Sequence, residues 1–127
     1  MTWKKILCAM DYSDSSKAAF RAAVDLAGKL RSELTLLHVG KGAEAELEVY
    51  RSDAQKAGIA HVHAVIDEGD PAGRIVDRAE KGAFDLVVMG TRGRTGRAAS
   101  LAGSVAETVV RRSHCPVLTL HEGTKRG

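Results

Sequence analysis

Phe84-Asp85-Leu86-Val87-Val88-Met89-Gly90-Thr91-Arg92-Gly93 is the stretch that decides the fold. Its first six residues form a short apolar run of the kind that builds a strand buried on both faces of a parallel sheet. Beyond Gly93 lie nine residues and then Gly103-Ser104. Ser104-Val105-Ala106-Glu107 matches a capping box, which predicts a helix opening at Ser104. A glycine loop that leaves a strand and ends on a helix N-terminus suits an anion. Free N–H groups and the positive end of the helix dipole point at the ligand, and glycine lets the backbone approach it. Between Gly90 and Gly103 stand Arg92, Arg94 and Arg97 and no acidic residue, so the side-chain charge has the same sign as the dipole.

Outward from this loop the chain alternates strand and helix. Ile6–Met10 reads as the first strand, followed by capping residues Ser13, Asp14 and Ser15 and a helix with an apolar stripe at Ala18, Ala22, Leu26 and Leu30. Residues Leu34–Val39 read as the second strand. Ala43, Leu47, Tyr50, Ala54 and Ala57 mark a second helix, which Gly58 stops. His61–Ile66 alternates like an edge strand. Asp70 as N-cap with Pro71 at the first helical position starts a third helix, which Gly82 ends. The fourth helix should turn Val105, Ala106, Val109 and Val110 inward, and Val117–Leu120 is the last strand. Five strands alternating with four helices predict an α/β fold, a doubly wound parallel sheet with helices on both faces. Ligands of such sheets sit beyond the carboxyl ends of the strands where the strand order reverses.

Composition narrows the function classes. At 127 residues the chain reads as one domain, residues 1–127, able to bury about two thirds of its unfolded surface. With 44% hydrophobic residues, only 4% aromatic and 13 glycines, it suits close helix-on-sheet packing and not disorder. No apolar run reaches the ~20 residues that span a bilayer, and Met1-Thr2-Trp3-Lys4-Lys5 does not open a signal peptide, so a cytoplasmic protein without membrane association is expected. A net charge of +3, spread among acids outside the glycine loop and not interleaved with aromatics, argues against nucleic acid as a partner. Cys8 and Cys115 fit neither zinc nor redox spacing, and Cys8 reads as a small core residue. The five histidines, His38 among them, lack metal-ligand spacing on one face and read as non-catalytic.

Gly90-x2-Gly93-x9-Gly103-Ser104 resembles the nucleotide-binding signature of the universal stress protein family, in its ATP-binding branch. The resemblance extends to Ala9-Met10-Asp11-Tyr12-Ser13, Leu37-His38-Val39, Gly69-Asp70-Pro71 and Cys115-Pro116-Val117-Leu118, nearly the whole chain. It implies a Rossmann-like sheet of order 3-2-1-4-5 with its switch point between strands one and four. It also implies ATP held with Mg2+ (or Mn2+) through the phosphates, and a homodimer joined by Val117–Leu120. The function implied is a nucleotide-dependent stress or signalling module, not an enzyme. In keeping with that, no Walker-type lysine, carboxylate pair for two-metal chemistry or general base beside the glycine loop is present. The segment between strands two and three is shorter than is usual in the family.

The resemblance assigns ribose contact to Asp11 and an adenine pocket to Ala9, Met10 and Val39. The phosphates fall to Gly90, Arg92, Gly93, Gly103 and Ser104, with Val105 beside them. Each has a plainer reading. Asp11 is also an Asx-turn residue, Ala9, Met10 and Val39 are ordinary strand ends, Arg92 and Arg94 solvated charges, and Ser104 a helix cap with or without ligand. Two other functions compete. One is a receiver-like phosphoaccepting domain using Asp11 or Asp67, although the last strand lacks the lysine such a domain needs. The other is a stress protein that has lost nucleotide and acts through protein contacts.

Overall fold

The computed structural model describes residues 2–91 and 101–122, with the backbone alone for 101–104. The strands are β1 (Lys5–Ala9), β2 (Glu33–Val39), β3 (Val62–Asp67), β4 (Leu86–Gly90) and β5 (Val117–Leu120). Between them run α1 (Asp14–Leu30), α2 (Glu44–Lys56), α3 (Pro71–Lys81) and α4 (Leu101–Arg112). All pairings are parallel, in the order β3-β2-β1-β4-β5. Cys8 of β1 stands between Leu36 of β2 and Val88 of β4. The expected doubly wound sheet and its strand order are therefore present.

Alternation along each strand feeds two cores. Ile6, Cys8, Leu34, Leu36, Leu86 and Val88 pack with α1 and α2, while Leu7, Leu37, Val87 and Met89 pack with α3 and α4. β1 sits at the centre, and its Ile6, Leu7 and Cys8 are wholly buried, as a strand covered on both faces requires.

Two helix starts follow their side chains. Ser13 caps α1 by accepting from the Ser16 N–H, and Asp70 caps α3 by accepting from the Gly73 N–H at 2.8 Å, with Pro71 at N1. Gly58, at φ +104°, turns the chain after α2.

Four expectations need correction. The buried row of α1 is Ser15, Ala19, Ala23 and Ala27, with Ser16 and Ala18 beside it. Ala22 and Leu26 are half-buried, and Leu30 is 46% exposed. Small residues at i, i+4 spacing let this helix lie close on the sheet, and the larger side chains fall to its flank. In α4, Ala106 and Val109 are buried and Val105 partly so, but Val110 is 53% exposed, since a helix packed on one side turns a narrower stripe inward. Ala57 is exposed, because it falls on the C-cap of α2.

α4 itself begins at Leu101 and not at Ser104. Leucine and alanine are strong helix formers, so Leu101-Ala102 carries the helix back past Gly103. Ser104 is its fourth residue and does not cap it. The N–H groups of Leu101, Ala102 and Gly103 then lack a helical acceptor, so Gly103 still belongs to the donor end of the helix.

Candidate functional site

The strand order reverses between β1 and β4, where crossovers lead away in opposite directions and leave a crevice beyond the carboxyl ends. Ala9-Met10-Asp11-Tyr12-Ser13 leaves one lip and Gly90-Thr91 the other. The first lip is built from a dense set of backbone contacts. The Met10 N–H continues the sheet by donating to the Leu37 carbonyl at 2.7 Å. Asp11 donates its N–H to Ser16 Oγ at 3.0 Å, and its Oδ1 accepts both the N–H (3.0 Å) and the hydroxyl (2.5 Å) of Ser13. Asp11 thus forms the Asx turn that the plainer reading expected. Its side chain is nevertheless exposed, and Oδ2 has no hydrogen bond among the described residues.

Tyr12, between these two residues, has φ +65°. This left-handed conformation costs a non-glycine residue on the order of 1 kcal/mol and persists only where neighbours enforce it. Three do so here. The ring lies 4.9 Å from that of His38 and 5.9 Å from that of Tyr50, and the hydroxyl donates to the Ala43 carbonyl at 3.3 Å. His38 Nδ1 stands 2.8 Å from the Met10 carbonyl. A carbonyl oxygen only accepts, so Nδ1 carries the proton.

Gly90 closes the other lip. A Cβ there would collide with Ser15 Oγ and come within 2.7 Å of the Ser15 carbonyl carbon and 2.8 Å of the Ser16 nitrogen. The glycine is needed because the first turn of α1 lies directly on the end of β4. That is a packing reason, beside whatever role a ligand gives it. The Thr91 N–H then donates to the Leu120 carbonyl at 2.8 Å.

The other site residues divide by face. Ala9, Val39 and Val105 lie half-buried on the α3/α4 side of the sheet. Met10 does not join them. Its side chain is buried in the α1/α2 core, with Sδ 3.7 Å from both Cys8 Sγ and Ser16 Oγ. Met10 therefore cannot line a pocket with Ala9 and Val39 through its side chain. Arg92 and Gly93, with Arg94 and Arg97, lie outside the described residues, and for Gly103 and Ser104 only the helical backbone is described.

Asp67, at the carboxyl end of β3, is not available to accept a phosphoryl group. Arg78 grips both of its oxygens, at 2.7 and 3.2 Å, and Arg74 stands 4.0 Å away. A receiver sheet also runs 2-1-3-4-5, not 3-2-1-4-5, so the receiver-like reading fails on topology as well. Tyr12 and His38 were not legible as site residues. The one available signal was a bulky residue inside an Asp-x-Ser turn, and the His38 contact joins positions far apart in the chain.

Comparison with known proteins agrees with this architecture. A universal stress protein of Methanocaldococcus jannaschii is 35% identical, the alignment covering 97% of this chain and 85% of that protein. The solved structure of hypothetical protein MJ0577 superposes with a TM-score of 0.86 at 27% identity, over 95% of this chain and 97% of the other. A universal stress protein solved in complex with cAMP superposes with a TM-score of 0.79 at 25% identity, over 96% and 99%. The profile of the Universal stress protein family matches residues 2–51 and 40–121, and the chain belongs to that family.

Proposed function

We propose that this protein binds an adenine nucleotide, ATP foremost, in the crevice between the ends of β1 and β4, and acts as a nucleotide-dependent module in a stress response, not as an enzyme. The observation that carries this reading is Asp11, an exposed residue at the point where the strand order reverses: one carboxylate oxygen accepts twice from Ser13, and the other accepts no hydrogen bond among the described residues. A carboxylate so held suits the paired hydroxyls of a ribose. Ala9 and Val39 offer apolar surface on one face for the base. Gly90, Arg92, Gly93, Ser104 and the free N–H of Gly103 then take the phosphates, with Val105 behind them. A relative of the same fold has been solved with cAMP, another adenine nucleotide.

Among the described residues no cluster of three His, Cys, Asp or Glu could hold a metal by itself, so Mg2+ or Mn2+ would enter through the phosphates. Among them, too, no helix is long and apolar enough to cross a membrane. We place the protein in the cytoplasm, as a homodimer joined edge to edge through β5, an uncharged strand with Leu118 37% exposed.

Thermal unfolding with ligand tests the nucleotide reading. Magnesium ATP at one hundred times its dissociation constant should stabilise the native state by about 2.7 kcal/mol. For a chain of this length that raises Tm by on the order of 10 °C. Adenosine should do less, since it lacks the groups that the helix end and arginines attract. Equal shifts for adenosine and ATP would remove the phosphates from the account, and no shift with any adenine nucleotide would leave the crevice without this function.

A further inference from the structure

We propose that His38 and Tyr12 are positioning residues for Asp11, which hold its carboxylate ready for the sugar before any ligand arrives. This role rests on the adenine-nucleotide reading above. The Met10 carbonyl and the Asp11 N–H belong to one peptide unit, and that unit is held at both ends. His38 Nδ1–H donates to its oxygen at 2.8 Å, and its nitrogen donates to Ser16 Oγ at 3.0 Å. The next residue, Tyr12, is kept at φ +65° by rings from β2 and α2 and by its bond to the Ala43 carbonyl. The backbone on both sides of Asp11 is therefore determined by contacts with distant parts of the chain.

The geometry has a directional consequence. With Tyr12 left-handed, its ring turns into the α1/α2 core while the side chain before it stays at the surface. A right-handed or extended Tyr12 would break the Asx turn that presents Asp11 Oδ2. Side chains that bind polar ligands gain from such prior ordering, because the entropy of fixing them has already been spent in folding. His38 supplies the only side chain on the Met10 carbonyl among the described residues, so its loss should loosen Asp11 specifically.

The test compares magnesium ATP with magnesium 2′,3′-dideoxy-ATP by calorimetry, so that the ratio of dissociation constants reads sugar recognition alone. The parent should favour ATP by roughly tenfold, the worth of one net hydrogen bond. His38→Leu should bring the ratio close to one, as Asp11→Ala does, and adding His38→Leu to Asp11→Ala should change the ratio no further. His38→Asn, whose amide nitrogen falls near the place of Nδ1, should restore it. Without ligand, His38→Leu should lower hydrogen-exchange protection of the Asp11 and Ser13 amides while amides of β4 keep theirs. A purely structural role would lower Tm and weaken both nucleotides equally, and an unchanged ratio or unchanged protection at Asp11 and Ser13 overturns the proposal. If the parent binds neither nucleotide, the function and this role fall together, a result distinct from binding that persists with the ratio intact.

Discussion

Gly90 and Ser16 stand so close that a Cβ on the glycine would lie 2.8 Å from the backbone nitrogen of the serine. The obstacle is main chain in the first turn of α1, so no side-chain rotation relieves it. Gly90→Ala is expected to destabilise the fold by about 1–3 kcal/mol, the usual cost of overpacking. A melting curve should fall by several degrees, and a variant as stable as the parent would show that α1 shifts away at no cost.

Burial pushes the Cys8 thiol up from 9.0 to about 12. Below pH 9 the thiol is protonated in both folded and unfolded chains, and its contribution to stability is constant. Above that the unfolded chain gains by releasing the proton while the folded chain cannot, so stability falls by about 1.4 kcal/mol per pH unit until the folded thiol ionises. Urea unfolding of parent and Cys8→Ala at pH 8 and pH 10.5 checks this. The parent should lose more stability than the variant between the two, and parallel losses would contradict it.

The Asp67 carboxylate is 11% exposed and held by both arms of the Arg78 guanidinium. Arg78→Met keeps most of the stem and removes the fork, leaving the carboxylate with Arg74 alone. We expect a loss of about 1–2 kcal/mol, less than for a fully buried pair because Arg78 is partly in solvent. The same substitution made in an Asp67→Asn background should cost much less, and equal costs in both backgrounds would mean that the fork contributes nothing.

Leu118→Lys places a charge on the exposed edge of β5, a usual way of blocking strand pairing. The parent should behave as a dimer in light scattering at micromolar concentration and the variant as a monomer with an unchanged far-UV spectrum. A monomeric parent, or a dimer that survives the lysine, would remove this edge from the interface.

Much of the fold was legible because local and global signals agree. Asp70-Pro71 and Ser13 open helices by bonds within a few residues, and apolar runs such as Leu86–Met89 can be buried only in a covered sheet. What local chemistry could not show is which face of an alanine-rich helix turns inward. Ala18, Ala19, Ala22, Ala23 and Ala27 look alike along the sequence, and contact with β1 and β4 selects among them. The start of α4 was misread because a capping box was weighed above the helix preference of Leu101-Ala102. Asp11 was legible from its place after a strand. Its supports were not, since His38, Ala43 and Tyr50 meet its neighbours Met10 and Tyr12 only once β2 and α2 are in place.

The central place of β1 has a consequence for synthesis. β1 leaves the ribosome well ahead of β4, with α1, β2, α2, β3 and α3 between them, and at about 5–20 residues per second the interval lasts several seconds. During that time β1, β2 and β3 can align, but the other edge of β1, opposite Leu86, Val87 and Val88, stays open. The crevice forms only when that last neighbour arrives. A nascent chain can therefore be half folded and still unable to hold a ligand, and its central strand is the one a chaperone would find uncovered on one edge.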